Sequence, residues 1–330
     1  MTDEQRKHKR KEEQLILKTA RNNRVEAKLP SIELEKLEFN KKMHNPLFYS
    51  VKLMRIINGY KLIVNKRVSK DNSCNEITYL ETGDVLLPKN RPVIVAPNHV
   101  RKQDIEILME AIPIHMFLLS GDYENVHGNI SGSMLEANGI IYFDMESNYD
   151  RKNVKYVIND LLNNNINILW FYEGSWNLSP NKPYYDGSYH IVEAALNTNA
   201  IVLPVAFDLI DKKAIVNIGE PIDYKMIYGD KTLSKEEKQE ALDILKGHIG
   251  SGLFNIWEEY SNVKRDEIKE DYWDNYKEEV LSEWKFNEED IERKHFVDKG
   301  IVNQEEVFKH LDNIDINKNN AFLLSKKNHH

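Results

Sequence analysis

Three textures of apolar and polar positions follow one another along the chain. Up to about residue 43 large apolar residues are sparse, and the stretch reads as a charged arm. Between residues 46 and 64, Leu47, Phe48, Val51, Met54, Ile57 and Tyr60 recur at three- and four-residue spacing, with Lys52, Arg55 and Lys61 among them. That spacing predicts an amphipathic basic helix, which either lies on an anionic membrane surface or packs on a core. From about residue 76 short apolar runs at 93–97, 114–119, 140–143, 166–171 and 201–207 read as strands. Helical patterns at 104–112, 131–138, 151–163 and 188–197 separate them. Strands alternating with helices predict an α/β domain, a layered and largely parallel sheet with flanking helices, whose ligands bind off the carboxyl ends of the strands. Residues 213–219 add an edge strand closed by Gly219-Glu220-Pro221. Ser234 to Tyr260 predicts a long helix, with Ser234 as N-cap and Glu237 completing a capping box. After Ser261, Tyr272, Trp273, Tyr276 and Trp284 fall on helical spacing and predict a small helical extension.

The expected organisation is therefore a basic arm over 1–45, an amphipathic helix and linker over 46–74, an α/β body over 75–260 and an acidic, aromatic-rich helical extension over 261–330. Charge sharpens this picture. Up to residue 70 there are 18 Lys+Arg against 8 Asp+Glu, a balance of +10, and the net charge of -8 leaves -18 for the rest. Cys74 is the one cysteine, which excludes a disulfide framework and a thiolate metal cluster and fits a reducing cytoplasm. The first residues carry no apolar core of a secretory signal, and no apolar run reaches the roughly 18 residues a membrane-spanning helix needs. The basic cluster from Arg6 to Lys11 lacks interleaved aromatics, so no nucleic-acid partner is expected.

Chemistry concentrates at two strand ends. Val93 to Asp104 reads Val-Ile-Val-Ala-Pro-Asn-His-Val-Arg-Lys-Gln-Asp: a β-branched run, a Pro97-Asn98 turn, then His99 with Asp104 five positions on. A histidine acting as general base needs a carboxylate to orient its ring and stabilise its cation. Five residues do not share a helix face, so the pair meets only if His99 sits in the turn and Asp104 opens the helix. His310 and Asp315 repeat the spacing in a polar tail and read as solvated. The second strand end is Ile168 to Pro180, where an apolar run leads into Glu173-Gly174-Ser175 and Trp176.

Together the two blocks resemble the glycerolipid acyltransferase family, that of the lysophosphatidic acid acyltransferases. Asn98, His99 and Asp104 match its first block, Gly139 to Asp144 its second, Phe171, Glu173, Gly174 and Ser175 part of its third, and Leu203-Pro204-Val205 its fourth. Ile218 to Ile222 is similar to a family ending. The resemblance implies an O-acyltransferase in which His99 is the base and Asp104 its orienting partner, with an acyl-CoA or acyl-carrier protein as co-substrate and no metal or other cofactor. It further implies a hydroxyl acceptor that is lipid-linked, backbone amides around Gly174 for the oxyanion, and peripheral attachment to the inner face of a membrane, in phospholipid biosynthesis. Asn98, Arg101, Lys102, Glu173, Gly174, Ser175 and Trp176 are the expected substrate-binding residues. Where the family has arginines tied to the acceptor's phosphate, this chain has Met145 and Trp176, and Asp186 precedes Gly187 where a basic residue is usual. The expected acceptor is therefore less anionic than lysophosphatidate, with Trp176, Tyr184 and Tyr185 as an aromatic wall for a sugar or large head group. The alternatives are a lysophosphatidate acyltransferase that binds phosphate through Arg101 and Lys102, a non-catalytic lipid- or partner-binding protein on the same fold, and a thioesterase in which water replaces the acceptor.

Overall fold

A computed structural model describes residues 34–66, 79–82, 85–88, 90–121, 130–143, 148–174, 176–177, 187–261, 272–283 and 296–297. The arm before residue 34, Cys74, Asp144, Met145, Ser175, Tyr184 to Asp186, Trp284 and the His310/Asp315 pair lie outside them. In chain order the elements are α1 (Leu34–Ile57), β1 (Lys61–Lys66), β2 (Tyr79–Thr82), β3 (Val85–Pro88), β4 (Val93–Pro97), α2 (Asp104–Ala111), β5 (Met116–Ser120), α3 (Ile130–Asn138), β6 (Ile140–Tyr142) and α4 (Asn148–Asn163). There follow β7 (Asn167–Leu169), β8 (Trp176–Asn177), α5 (His190–Thr198), β9 (Ile201–Ile210), β10 (Lys213–Ile218), α6 (Tyr224–Tyr228), α7 (Lys235–Tyr260), α8 (Tyr272–Ser282) and β11 (Phe296–Val297).

The fold is α/β, with a mixed, mostly parallel seven-stranded sheet and flanking helices. The chain divides into two compact units, Met1–Leu47 with His115–Leu169 and Phe48–Ile114 with Trp170–His330. The second unit holds β1, β10, β9 and β4 side by side in that order. β4 is buried along its whole length, which is why it reads as an unbroken apolar run rather than an alternating one. It pairs in parallel with β9, Val93 opposite Ile201 and Pro97 opposite Val205. α7 lies against β9 and β10, opened by the expected capping box in which Ser234 Oγ accepts from Glu237 N and Glu237 accepts from Ser234 N. In the first unit β7, β5 and β6 run parallel with β5 between the other two. Gly139, in the second family block, has φ +128 and would set a Cβ 2.4 Å from the Phe117 ring, so no other residue fits this approach of turn to ring.

Two expectations are corrected. The helix expected over 46–64 starts earlier and stops at Ile57, because Asn58, Gly59 and Tyr60 donate back to the carbonyls of Met54, Ile56 and Arg55 and close it. Lys61 to Lys66 are instead strand β1, parallel to β10. Residues 213–218 are consequently no edge strand, since β10 has β9 on one side and β1 on the other. Along α1 the expected apolar stripe parts into two faces. Leu47 and Val51 are buried, whereas Tyr49, Leu53, Met54, Ile56 and Ile57 are exposed.

Candidate active site

His99 stands just past the end of β4, in a turn that begins where the β4–β9 ladder would otherwise continue. Asn98 supplies the last rung with its side chain: Nδ2 donates to Phe207 O at 2.9 Å and Oδ1 accepts from Phe207 N at 2.7 Å. With its own N–H on Val205 O, Asn98 is buried and bound on all sides, so it shapes the turn rather than touching a substrate. The His99 peptide is then gripped from β8 and the turn before it. Its N–H donates to Glu173 Oε2 at 3.1 Å, and its carbonyl accepts from Asn177 N at 2.7 Å.

The chain turns once more, with Asp104 N donating to Arg101 O, and Asp104 opens α2. This turn brings residues five apart together, and His99 Nδ1 lies 2.5 Å from Asp104 Oδ2. The carboxylate accepts the Nδ1 proton, which leaves Nε2 with its lone pair for a proton from outside. Burial pushes the Asp104 carboxyl up, while the imidazole and the amides of Ile105 and Val100 pull it back. The imidazole is flanked by Phe171 at 4.0 Å and Trp176 at 4.4 Å between ring centroids. The ring is thus held by Asp104 at its edge and by aromatics along its faces.

The third block is less exposed than the sequence suggests. Glu173 is buried, not solvated, because it serves as an internal acceptor: Oε2 takes His99 N, and Oε1 takes Asn177 Nδ2 at 2.9 Å and Tyr172 OH at 3.3 Å. Burial raises its carboxyl pKa, and these donors lower it in part. Gly174 is exposed with φ +67, and its N–H closes a turn onto Phe171 O at 3.0 Å, so that amide is not directed at an oxyanion. Trp176 is only 8% exposed. It covers the His99 ring and is no open wall for a sugar.

Arg101 is turned inward, and it too departs from expectation. At 1% exposure its guanidinium gives Nε to Asp208 Oδ1 at 2.8 Å, one terminal nitrogen to Glu279 at 3.1 Å and Glu283 at 2.7 Å, and the other to Leu209 O at 3.1 Å. Burial opposes its charge, but Tyr276, Asp208 and Glu283 outweigh that and hold its pKa above the ordinary value. A guanidinium so occupied has no fork left for a phosphate. Lys102 next to it is exposed. The sequence reading missed Asp208, Trp257 and Glu283, and took Tyr276 only as part of a helical extension. Asp208 was detectable as a lone carboxylate in an otherwise apolar β9, since a buried charge demands partners.

Residues 80–208 match the model of the acyltransferase family, a segment that contains all four sequence blocks. This segment is an acyltransferase domain. A search of the solved structures finds the crystal structure of the 1-acyl-sn-glycerophosphate (LPA) acyltransferase PlsC from Thermotoga maritima, at 17% identity and a TM-score of 0.42, over 75% of this chain and 91% of that one. No curated protein matches the sequence. The matched segment ends on Asp208, so the partners that Arg101 finds on α8 and just past it, and the Trp257 of α7 that donates to Asp208, lie beyond it.

Proposed function

We propose that the chain is an O-acyltransferase that moves a fatty acyl group from an acyl thioester, acyl-CoA or acyl-carrier protein, to a hydroxyl of a lipid, glycolipid or saccharide acceptor. His99 Nε2 removes the hydroxyl proton as the oxygen attacks the thioester carbonyl carbon. Asp104 favours the imidazolium while the tetrahedral intermediate exists. The C–S bond then breaks, the imidazolium proton goes to the departing sulfur, and His99 returns to its neutral form. The observation that carries this reading is the 2.5 Å contact between His99 Nδ1 and a fully buried Asp104, at the carboxyl end of a parallel strand.

The acceptor in this reading lacks a phosphate monoester. Arg101 is committed to carboxylates, and Trp176 stands where the family pattern has an arginine. The acceptor's own membrane is met by α1, whose Tyr49, Leu53, Ile56 and Ile57 are exposed at three- and four-residue spacing beside the exposed Lys52. Among the described residues no helix is long and apolar enough to cross a membrane. We place the protein at the cytoplasmic face, bound peripherally.

The deciding experiment incubates a membrane extract with an isotope-labelled acyl thioester and either the wild type or His99→Ala, and reads acylated products by mass spectrometry. A species made by the wild type and absent with His99→Ala is expected, together with poor turnover of lysophosphatidate against a neutral glycolipid. Equal products from both proteins would remove His99 from the chemistry. Efficient lysophosphatidate turnover would sink the acceptor assignment, and thiol release without an acceptor would make the protein a thioesterase.

A further inference from the structure

Two elements from the end of the chain reach the turns that hold His99. Val100, the residue after the base, shares a buried apolar cluster with Tyr276 and Val280 of α8, with Leu281 packed against it. Arg101, next again, lies with its guanidinium 4.8 Å over the Tyr276 ring and pairs with Glu279 of α8 and with Glu283 just beyond it. Asp208 ties the arrangement to the sheet: Oδ1 takes Arg101 Nε and Leu209 N, and Oδ2 takes Trp257 Nε1 at 2.8 Å and Tyr276 OH at 2.9 Å. On the other side of the base β11 pairs in parallel with β8, Phe296 opposite Trp176 and Val297 opposite Asn177. Those two β8 residues are the ones that cover the imidazole and hold the His99 carbonyl.

We infer that α8 and β11 complete the active site: they strap the two strand-end turns in place, and Arg101 and Tyr276 are positioning residues for acyl transfer through His99. The inference rests on the acyl-transfer reading given above. Its physical basis is that a guanidinium buried this far keeps its place only while its carboxylate and carbonyl partners stay in place. The guanidinium belongs to the turn between base and orienting carboxylate, so its partners govern the distance from His99 to Asp104. Rates depend steeply on that distance, and a misplacement of ~1 Å costs on the order of a hundredfold.

The test uses the full chain with Arg101→Lys, Tyr276→Phe or Val280→Asp, alongside wild type and His99→Ala. Thiol release from a long-chain acyl-CoA, in the presence of a neutral glycolipid acceptor, gives kcat and KM. Proton NMR gives a second readout that needs no substrate: the downfield resonance of the His99–Asp104 hydrogen bond, assigned by its loss in His99→Ala. In Val280→Asp, which puts a charge into the α8 contact, kcat is expected to fall about tenfold to a hundredfold with KM nearly unchanged, and the resonance to broaden or vanish. Tyr276→Phe keeps the ring on Arg101 and loses the hydroxyl, so a smaller loss is expected. Arg101→Lys cannot reproduce the fork and should resemble Val280→Asp. Unchanged kcat and an intact resonance in Arg101→Lys and Tyr276→Phe would overturn the inference even if Val280→Asp does not fold. A rise in kcat would overturn it too, by making the strap a cover. Full activity in His99→Ala would instead defeat the acyl-transfer reading, while the NMR comparison would still report on the strap.

Discussion

At the scale of single residues, His99 is held by its peptide as firmly as by its ring, and the residues doing so were readable in the sequence as types but not as roles. Asn98, Arg101, Glu173 and Trp176 all stand at strand ends, where a polar or aromatic side chain ordinarily suggests ligand contact. Spacing says nothing of whether such a side chain turns outward or back into the protein, and here all four turn back: Asn98 and Glu173 onto backbone, Arg101 onto Asp208 and Trp176 onto the His99 ring. His99 and Asp104 were legible because the Pro97-Asn98 turn leaves them one way to meet. Glu106, two residues into α2, was not flagged. Its Oε2 is buried, and burial with the neighbouring Asp104 charge pushes its carboxyl up to about 7, against the pull of Lys102. A carboxyl raised on folding favours the folded state below the ordinary value near 4.5 and loses that benefit as pH rises through 7. Glu106→Gln should therefore match the wild type in stability near pH 4 and exceed it above pH 7, by roughly 1–3 kcal/mol at pH 8. Urea unfolding at the two pH values checks this, and a difference that does not grow with pH would contradict it.

At the scale of elements, α1 shows how a correct period conceals two faces. Leu47, Val51, Met54 and Ile57 share helical spacing, yet the first two are buried and the last two exposed, because a common period does not say over what length of a helix its stripe is covered. The Lys61 to Lys66 strand was absorbed into that helix, which in turn made β10 look like an edge. Arg55 is the polar link of the inner face. Its Nε and one terminal nitrogen bind both oxygens of Glu110, at 2.7 and 2.8 Å, and its other nitrogen binds Tyr60 O at 2.5 Å. Arg55→Ala would strand the nearly buried Glu110 carboxylate, a loss of about 3 kcal/mol. Replacing both, as Arg55→Ala with Glu110→Leu, should recover much of it. A midpoint shift in urea measures both, and a double variant no better than the single would contradict the account.

At the scale of the whole molecule, the +10 balance before residue 70 and the -18 after it separate the charge that attracts an anionic surface from the charge that would be repelled by one. Binding to anionic vesicles should therefore weaken markedly between about 50 and 500 mM salt, since exposed charges are screened over that range. Leu53→Asp together with Ile56→Asp should abolish it, in a flotation assay. Binding indifferent to salt, or to the two aspartates, would exclude this face. The buried cluster at Arg101 carries a consequence in time. During synthesis the His99 turn leaves the ribosome long before Tyr276 and Glu283, and at about 5–20 residues per second that interval lasts many seconds. Throughout it the guanidinium lacks its final partners, so the His99 turn is set only after Glu283 has emerged. Until that stretch has emerged, a growing chain holds His99 and Asp104 without the partners that fix the turn between them.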